Sequence, residues 1–368
     1  MKRLLGFLLL PLLGRAEPTL RESFEKDFLV GVALPSSTVD GREVDAATVA
    51  GSQFSALTPE NDMKWASLHP HPERYDFTRG DAYVHFAEQH HMKLIGHTLV
   101  WHSQTPEWVF QGAEGQPADR ELLLARMKDH IDTVVGHFRG KVHGWDVVNE
   151  ALSDSPGEDL RDSPWRRIIG DDFIQQAFHF AHAADPTAQL YYNDYGLAQP
   201  EKRARAVRLL QRLIDQDVPI SAVGMQGHYS LSWPDPAEVE KSIIAFHQLG
   251  LKVMITELDI DVLPSRGASG IADIARTEAS DPALNPFADT LPATVSQQLA
   301  DRYTSLFQVF LRHHHAISRV TFWGLHDGRS WLNDFPIRGR TNYPLLFDRS
   351  LQPKPAFEAI LRIGSTPR

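Results

Sequence analysis

Two carboxylates stand where a charge is costly. Glu150 closes the run WDVVNE and Glu257 falls near the end of KVMITELD, each after a stretch apolar enough to be an interior strand. A charge at the end of a buried strand costs free energy unless it is paired or put to use, and either glutamate alone reads most simply as a salt-bridged strand end. Together they admit a specific chemistry. Two carboxyl groups facing each other across a sugar-sized gap can break a glycosidic bond, one as a protonated acid for the leaving oxygen, the other ionised as nucleophile or as base for a water. Their separation, about 5–5.5 Å for retention and roughly 6.5–9.5 Å for inversion, decides the stereochemistry, and spacing along the chain does not supply it.

Neighbouring residues say which carboxyl is ionised. Glu257 and Asp259 are two apart on a strand and share a face, where like charges raise each other's pKa unless a cation or donor lies between them. Gln226 and His228 end the adjacent run with the same spacing, so His228 can bridge the pair and hold Glu257 as carboxylate. The ordinary alternative for His228 is a core histidine. Glu150 has Asn149 as its immediate polar neighbour, and the charge of Glu257 raises its pKa, as an acid requires. Once Glu257 is esterified that charge is gone, which suits Glu150 to a second role as base.

These groups need a frame. Strand-like runs at 28–34, 53–57, 93–98, 143–148, 189–192, 222–226, 252–256 and 319–324 alternate with helical patterns such as 120–138, 172–183, 201–216, 237–249 and 294–313. A helix after nearly every strand implies parallel strands joined by right-handed crossovers. Glu60-Asn61, His97 with Trp101-His102, Asn149-Glu150, Asn193-Asp194, Gln226 with His228, Glu257 with Asp259, and Trp323 with His326-Asp327 all follow strand ends. An open sheet would gather such groups only at its switch point, whereas a barrel converges them on one mouth. The expected fold is α/β, a single-domain (β/α)₈ TIM barrel over 17–368, with an extended loop at 261–292 after the seventh strand and a shorter insertion at 153–164. Glutamates 150 and 257 end strands four and seven, three apart in the ring, so both reach one cleft.

Composition narrows the alternatives. The 368 residues carry 37 Lys+Arg against 47 Asp+Glu, a net charge of −10 without a basic run, which argues against nucleic acid as a partner. No cysteine is present, so disulfides and thiolate chemistry are excluded. Lys2 and Arg3, an apolar stretch over 4–13 and a small-residue end at Ala16 have the order of a secretory signal peptide, 1–16, too short to span a bilayer. Its removal takes away Lys2, Arg3 and Arg15 and leaves −13, with a secreted product, periplasmic or extracellular, that has no membrane attachment. The 18 histidines include no HExxH, so no catalytic metal is expected; a G-x-S-x-G elbow is also missing. Trp65, Trp101, Trp323 and Trp331 lie at or past strand ends beside charged residues, where rings can stack on the apolar faces of sugars.

TPENDMKW at 58–65, GHTLVWHSQTPEW at 96–108, WDVVNEAL at 145–152, NDYG at 193–196, GMQGHYS at 224–230, ITELDI at 255–260 and FWGLHDGRSWL at 322–332 together closely resemble glycoside hydrolase family 10, the endo-β-1,4-xylanases. The resemblance implies a retaining double displacement on xylan and xylooligosaccharides, with no cofactor, by a monomer. It implies Glu150 as acid/base, Glu257 as nucleophile, and Asn149 on the sugar's 2-hydroxyl. It places His228 and Asp259 behind the nucleophile and Gln226 on the acid/base side. Glu60, Asn61, Lys64, His97, Trp101, Trp323 and Trp331 would line the glycone subsites, and Tyr195 would contact the aglycone. Gly196 stands where a polar residue is common in the family, and the 261–292 loop lacks cysteines, so that any clamp on the cleft is expected to form by packing. A β-1,4-glucanase of the same mechanism and an inactive xylan-binding protein are the competing readings.

Overall fold

The computed structural model describes residues 18–266, 272–275 and 277–366; the leader expected over 1–16 lies outside the described residues. Among these, nine strands form one parallel sheet: β1 (Leu29–Leu34), β2 (Ala56–Pro59), β3 (Lys93–Trp101), β4 (Val142–Asn149), β5 (Gln189–Asp194), β6 (Ala222–Met225), β7 (His228–Ser230), β8 (Lys252–Asp261) and β9 (Ile317–Phe322). Strands β1 to β6 pair in succession, β9 joins β1 to β8, and a β6–β8 pairing closes the ring. Eight strands thus make a (β/α)₈ barrel, and β7 is a short extension paired with β8 beyond the ring.

The expected helices appear at Arg120–His137, Phe173–Ala184, Pro200–Asp215, Pro236–His247 and Ala293–Arg312. Asp119 and Asp235 accept from free backbone N–H groups at two of their starts, and Pro200 and Pro236 occupy first turns, where a missing N–H costs nothing. No helix among the described residues is long and apolar enough to cross a membrane.

Several strand boundaries differ from the sequence reading: β3 runs on to Trp101 and β8 to Asp261, so Trp101, Glu257 and Asp259 lie within strands rather than past their ends. Gln53 ends the helix Val44–Gln53, and β2 starts only at Ala56; the apolar Phe54 between them turns its ring edge-on to Phe322 in the core. The sixth run breaks after Met225 because Gly227 adopts φ +89°, and a Cβ there would lie 2.8 Å from Ile255 Cγ2. Only glycine takes that conformation without strain. The break redirects His228 onto β8, where it pairs in register with Asp259.

Inside the barrel, Ile95, Tyr191, Ala222 and Met254 form a small apolar cluster separate from the main core between strands and helices. Buried Arg319 joins it, donating to Thr321 Oγ1 at 2.9 Å with its guanidinium 5.9 Å from the Tyr191 ring. Parallel register sets Trp101 beside Asn149 and Asn149 beside Asn193 at the opposite, functional end.

Gly96 of β3 is in register with Trp145 of β4, and a Cβ at 96 would lie 2.1 Å from the indole. Gly96→Ala is therefore expected to lower the unfolding free energy by about 1–3 kcal/mol through overpacking. Urea denaturation checks this; an unchanged midpoint would mean that the ring moves aside without cost.

Candidate active site

Residue 150 follows the last residue of β4 and has φ 58°, a left-handed conformation uncommon for a side-chain-bearing residue and most often kept at functional positions. Its N–H donates to the Asn193 carbonyl at 2.9 Å. Its carboxyl accepts from Gln226 Nε2 at 2.9 Å and from Trp101 Nε1 at 2.8 Å. Glu257, within β8, accepts from Asn193 Nδ2 at 2.8 Å and from His228 Nε2 at 3.0 Å. The other imidazole nitrogen meets Asp259 Oδ1 at 3.0 Å, and Trp331 Nε1 donates to Asp259 Oδ2 at 2.7 Å. Asn193 also donates to Asn149 Oδ1 at 2.9 Å while accepting from Thr256 Oγ1 at 2.6 Å.

The two glutamates are equally deep, 4% and 5% exposed, yet their acidities diverge. Burial pushes Glu150 up to about 7, with the negative charges of Asp194 and Glu257 adding to it and the donors Gln226 and Trp101 opposing it. Burial acts on Glu257 too, but the hydrogen bond of His228, the charges of His97 and His228 and the amide of Asn193 outweigh it, and the pKa of Glu257 is lowered. His228 is itself pushed to about 10, because Asp259 and Glu257 overcome the burial that would lower it. At neutral pH the ring is therefore an imidazolium donating from both nitrogens. The expected bridge is present, but burial rather than the charge of Glu257 dominates the shift of Glu150.

Around this pair the structure gathers the expected binding residues. Lys64 donates to Asn61 Oδ1 at 2.9 Å and holds its ammonium 4.9 Å from the Trp101 ring. Burial lowers the pKa of Lys64, against the pull of Glu257, Glu60 and Glu150, while burial raises that of Glu60 to about 7. His97 is oriented by Asp146 at 2.9 Å and stands edge-to-face with Trp323 at 5.3 Å. Trp331 lies 4.8 Å from His228 and stacks on Phe335 at 4.3 Å.

Two aromatic expectations need correction. Tyr195 is 1% exposed: its hydroxyl donates to Asp154 and accepts from Arg161, and the Lys202 ammonium covers the ring at 3.5 Å, so no face is left for a sugar. Trp65 is buried as well, stacked on His130 at 3.6 Å. Sequence reasoning gave no role to Asn193, although its place at the end of QLYYND beside the Asn149 strand pointed there. It gave none to Arg161 either. The 261–292 loop is held to the insertion by an ion pair, Arg161–Asp273 at 3.0 Å, where packing alone was expected. No group of three or more His, Asp or Glu among the described residues is placed to hold a metal ion.

Carboxyl carbon NMR should show Glu150 titrating near 7 and Glu257 below 4.5. Gln226→Ala, which removes a donor to the carboxylate, should move Glu150 higher; two carboxyls titrating together near 4.5 would contradict the assignment. A folded pKa raised above the unfolded value gives stability that is complete below the latter and lost as pH rises through the former. Glu150→Gln should accordingly be more stable than wild type at pH 8, by up to ~3 kcal/mol, and equal to it near pH 4.

The chain matches the model of Glycosyl hydrolase family 10 over residues 19–363. It is 43% identical over 361 residues to endo-1,4-beta-xylanase A of Xylanibacter ruminicola, covering 98% of this chain and 97% of that one. It is 42% identical to the endo-1,4-beta-xylanase of Geobacillus stearothermophilus, over 94% and 98% of the two chains. A solved endoxylanase of the same family from a sugarcane soil metagenome superimposes with a TM-score of 0.91 at 43% identity, covering 94% of this chain and 99% of that one.

Proposed function

The chain belongs to glycosyl hydrolase family 10, and on that premise we propose that it cleaves internal β-1,4 bonds of xylan with retention of anomeric configuration. The observation that carries the mechanism is the unlike surroundings of two equally buried carboxyls: Glu150, just past β4, accepts only from the neutral donors Gln226 and Trp101, which leaves its pKa raised to about 7, whereas Glu257, within β8, accepts from His228 and is held ionised. A carboxylate oxygen of Glu257 attacks the anomeric carbon as the bond to the leaving oxygen breaks, and Glu150 gives that oxygen its proton. Glu150, now a carboxylate, then takes a proton from water, whose oxygen displaces the ester of Glu257 and restores both groups.

The remaining residues bind and orient. The Asn149 amide oxygen is engaged by Asn193 and Gln226, which leaves its NH₂ to donate to the 2-hydroxyl of the sugar under attack. His228 and Asp259 keep the nucleophile charged and aimed. Glu60, Asn61, Lys64 and His97 supply hydroxyl partners, and Trp101, Trp323 and Trp331 supply apolar surface. Trp331 is fixed at both its nitrogen and its ring face, which suits it to exclude the extra hydroxymethyl group of glucose.

Export is part of this reading, supported by the charged, apolar and small-residue order of 1–16; the secreted protein should begin at Glu17 by N-terminal sequencing. A monomer is part of the same reading and should elute at the mass of a single copy.

Glu257→Ala should abolish turnover while retaining xylooligosaccharide binding. Wild type should act faster on xylan than on carboxymethylcellulose, and the reverse order would make it a glucanase. Proton NMR of the first product released should show the β anomer; an initial α anomer would remove Glu257 from the nucleophile role.

A further inference from the structure

Arg161 lies outside the catalytic pair and eleven residues beyond Glu150, yet the chain returns it to that residue. Its N–H bonds to the Ala151 carbonyl at 2.8 Å, and the bridge between Leu152 and Leu160 folds the insertion back on itself. Every nitrogen of the guanidinium donates. Nε donates to the Glu150 carbonyl at 3.1 Å, Nη1 to Asp273 at 3.0 Å, and Nη2 to Asp154 at 3.2 Å and to the Tyr195 hydroxyl at 2.5 Å. Asp154 is in turn gripped by Lys202 at 2.8 Å, and Lys202 also reaches Asp194 at 3.1 Å.

The partners of this fork come from separate segments. Asp154 and the Glu150 carbonyl belong to the segment that follows β4, the strand of the acid. Asp273 belongs to the loop that follows β8, the strand of the nucleophile. The bond to the Glu150 carbonyl acts on a left-handed residue, φ 58°; rotation about its N–Cα bond carries the carbonyl and the side chain together, so holding the one holds the direction of the other. A displacement of about 1 Å in a catalytic group can cost roughly a hundredfold in rate.

We propose that Arg161 is a positioning residue for proton donation, holding the left-handed backbone of Glu150 in place through a fork anchored on Asp154 and on Asp273 of the loop after β8. This rests on the acid/base role given to Glu150. Geometry, rather than charge, is what the fork supplies: a planar guanidinium meets a carbonyl, a hydroxyl and two carboxylates at once, one acceptor more than the three N–H groups of an ammonium can serve.

The test uses the dependence on leaving group, because an acid that has lost its aim matters only when the departing oxygen needs a proton. For Arg161→Gln, kcat/KM on phenyl xylobioside should fall roughly 10- to 100-fold, while kcat/KM on dinitrophenyl xylobioside, whose leaving group departs unprotonated, should change less than about threefold. Asp273→Asn should give the same pattern at smaller size. Arg161→Lys should behave like Arg161→Gln; if Lys restores wild-type selectivity, charge alone suffices and the positioning role is wrong. Equal losses on both substrates in Arg161→Gln, with a folded circular dichroism spectrum, would also overturn it. Glu150→Gln is the reference. If it shows no leaving-group discrimination, the acid/base assignment itself fails; if it discriminates and Arg161→Gln does not, only the inference about Arg161 fails. Should Arg161→Gln not fold, the Asp273→Asn and Arg161→Lys pair decides by the same ratio.

Discussion

An imidazolium clamped between two carboxylates keeps Glu257 charged at a depth where burial alone would protonate it. Glu150 is the contrast, with the charges of Asp194 and Glu257 adding to burial. At the same depth, but with only neutral donors on its oxygens, it rises from 4.5 to about 7, which corresponds to about 3 kcal/mol against the charged form. Glu257 escapes because the positive charge beside it is itself secured: Asp259 holds the far nitrogen of His228, and the Trp331 indole holds Asp259. Two carboxyls in one cleft are thereby driven apart in acidity, the condition for dividing acid and nucleophile roles at one pH.

Such a chain of hydrogen bonds constrains the backbone beneath it. His228 reaches between Glu257 and Asp259 only because the chain leaves the barrel at Gly227 and lays β7 against β8 in register with Asp259. Asn193 serves both carboxyl sides because its strand lies between β4 and β6, with Asn149 its registered neighbour. It touches Glu257 and Asn149 through one amide nitrogen, so a slip of β5 against β4 would disturb the nucleophile and the 2-hydroxyl donor together. The functional end of the barrel therefore has little freedom of register. The other end closes on ordinary packing around Arg319.

What was legible in the chain follows from this. Period-two alternation and the adjacency of consecutive parallel strands are local rules, and they sufficed to put Glu257 and Asp259 on one face and Glu150 at the same end of the barrel; His228 comes between the two carboxylates through the break at Gly227, which those rules do not contain. Arg161 was invisible because its meaning arises from a return of the chain and from an aspartate more than a hundred residues away. Tyr195 was misjudged for the converse reason. Its motif and strand-end position suggested a surface contact, but exposure depends on Lys202 and Asp154, which arrive from a helix and from the insertion to cover it. Trp65 lies one residue from Lys64, yet one faces the cleft and the other the core, because a helical turn begins there.

The order of causes at Glu150 bears on the second half of the reaction. Were the charge of Glu257 the main reason for its raised pKa, esterification would release the whole shift and give a strong carboxylate at once. Burial comes first instead, and Asp194 ranks ahead of Glu257; neither changes when the ester forms. The fall in pKa on esterification is thus only a part of the total, and the base that activates water stays weakly acidic as its conjugate acid. Gln226 and Trp101 then matter more in the second step than in the first, because both donate to the carboxylate oxygens and stabilise the charged form that must wait for the water. A group with a conjugate-acid pKa near the working pH serves well in both directions of proton transfer, and here that poise comes from depth and fixed dipoles rather than from the partner it would lose.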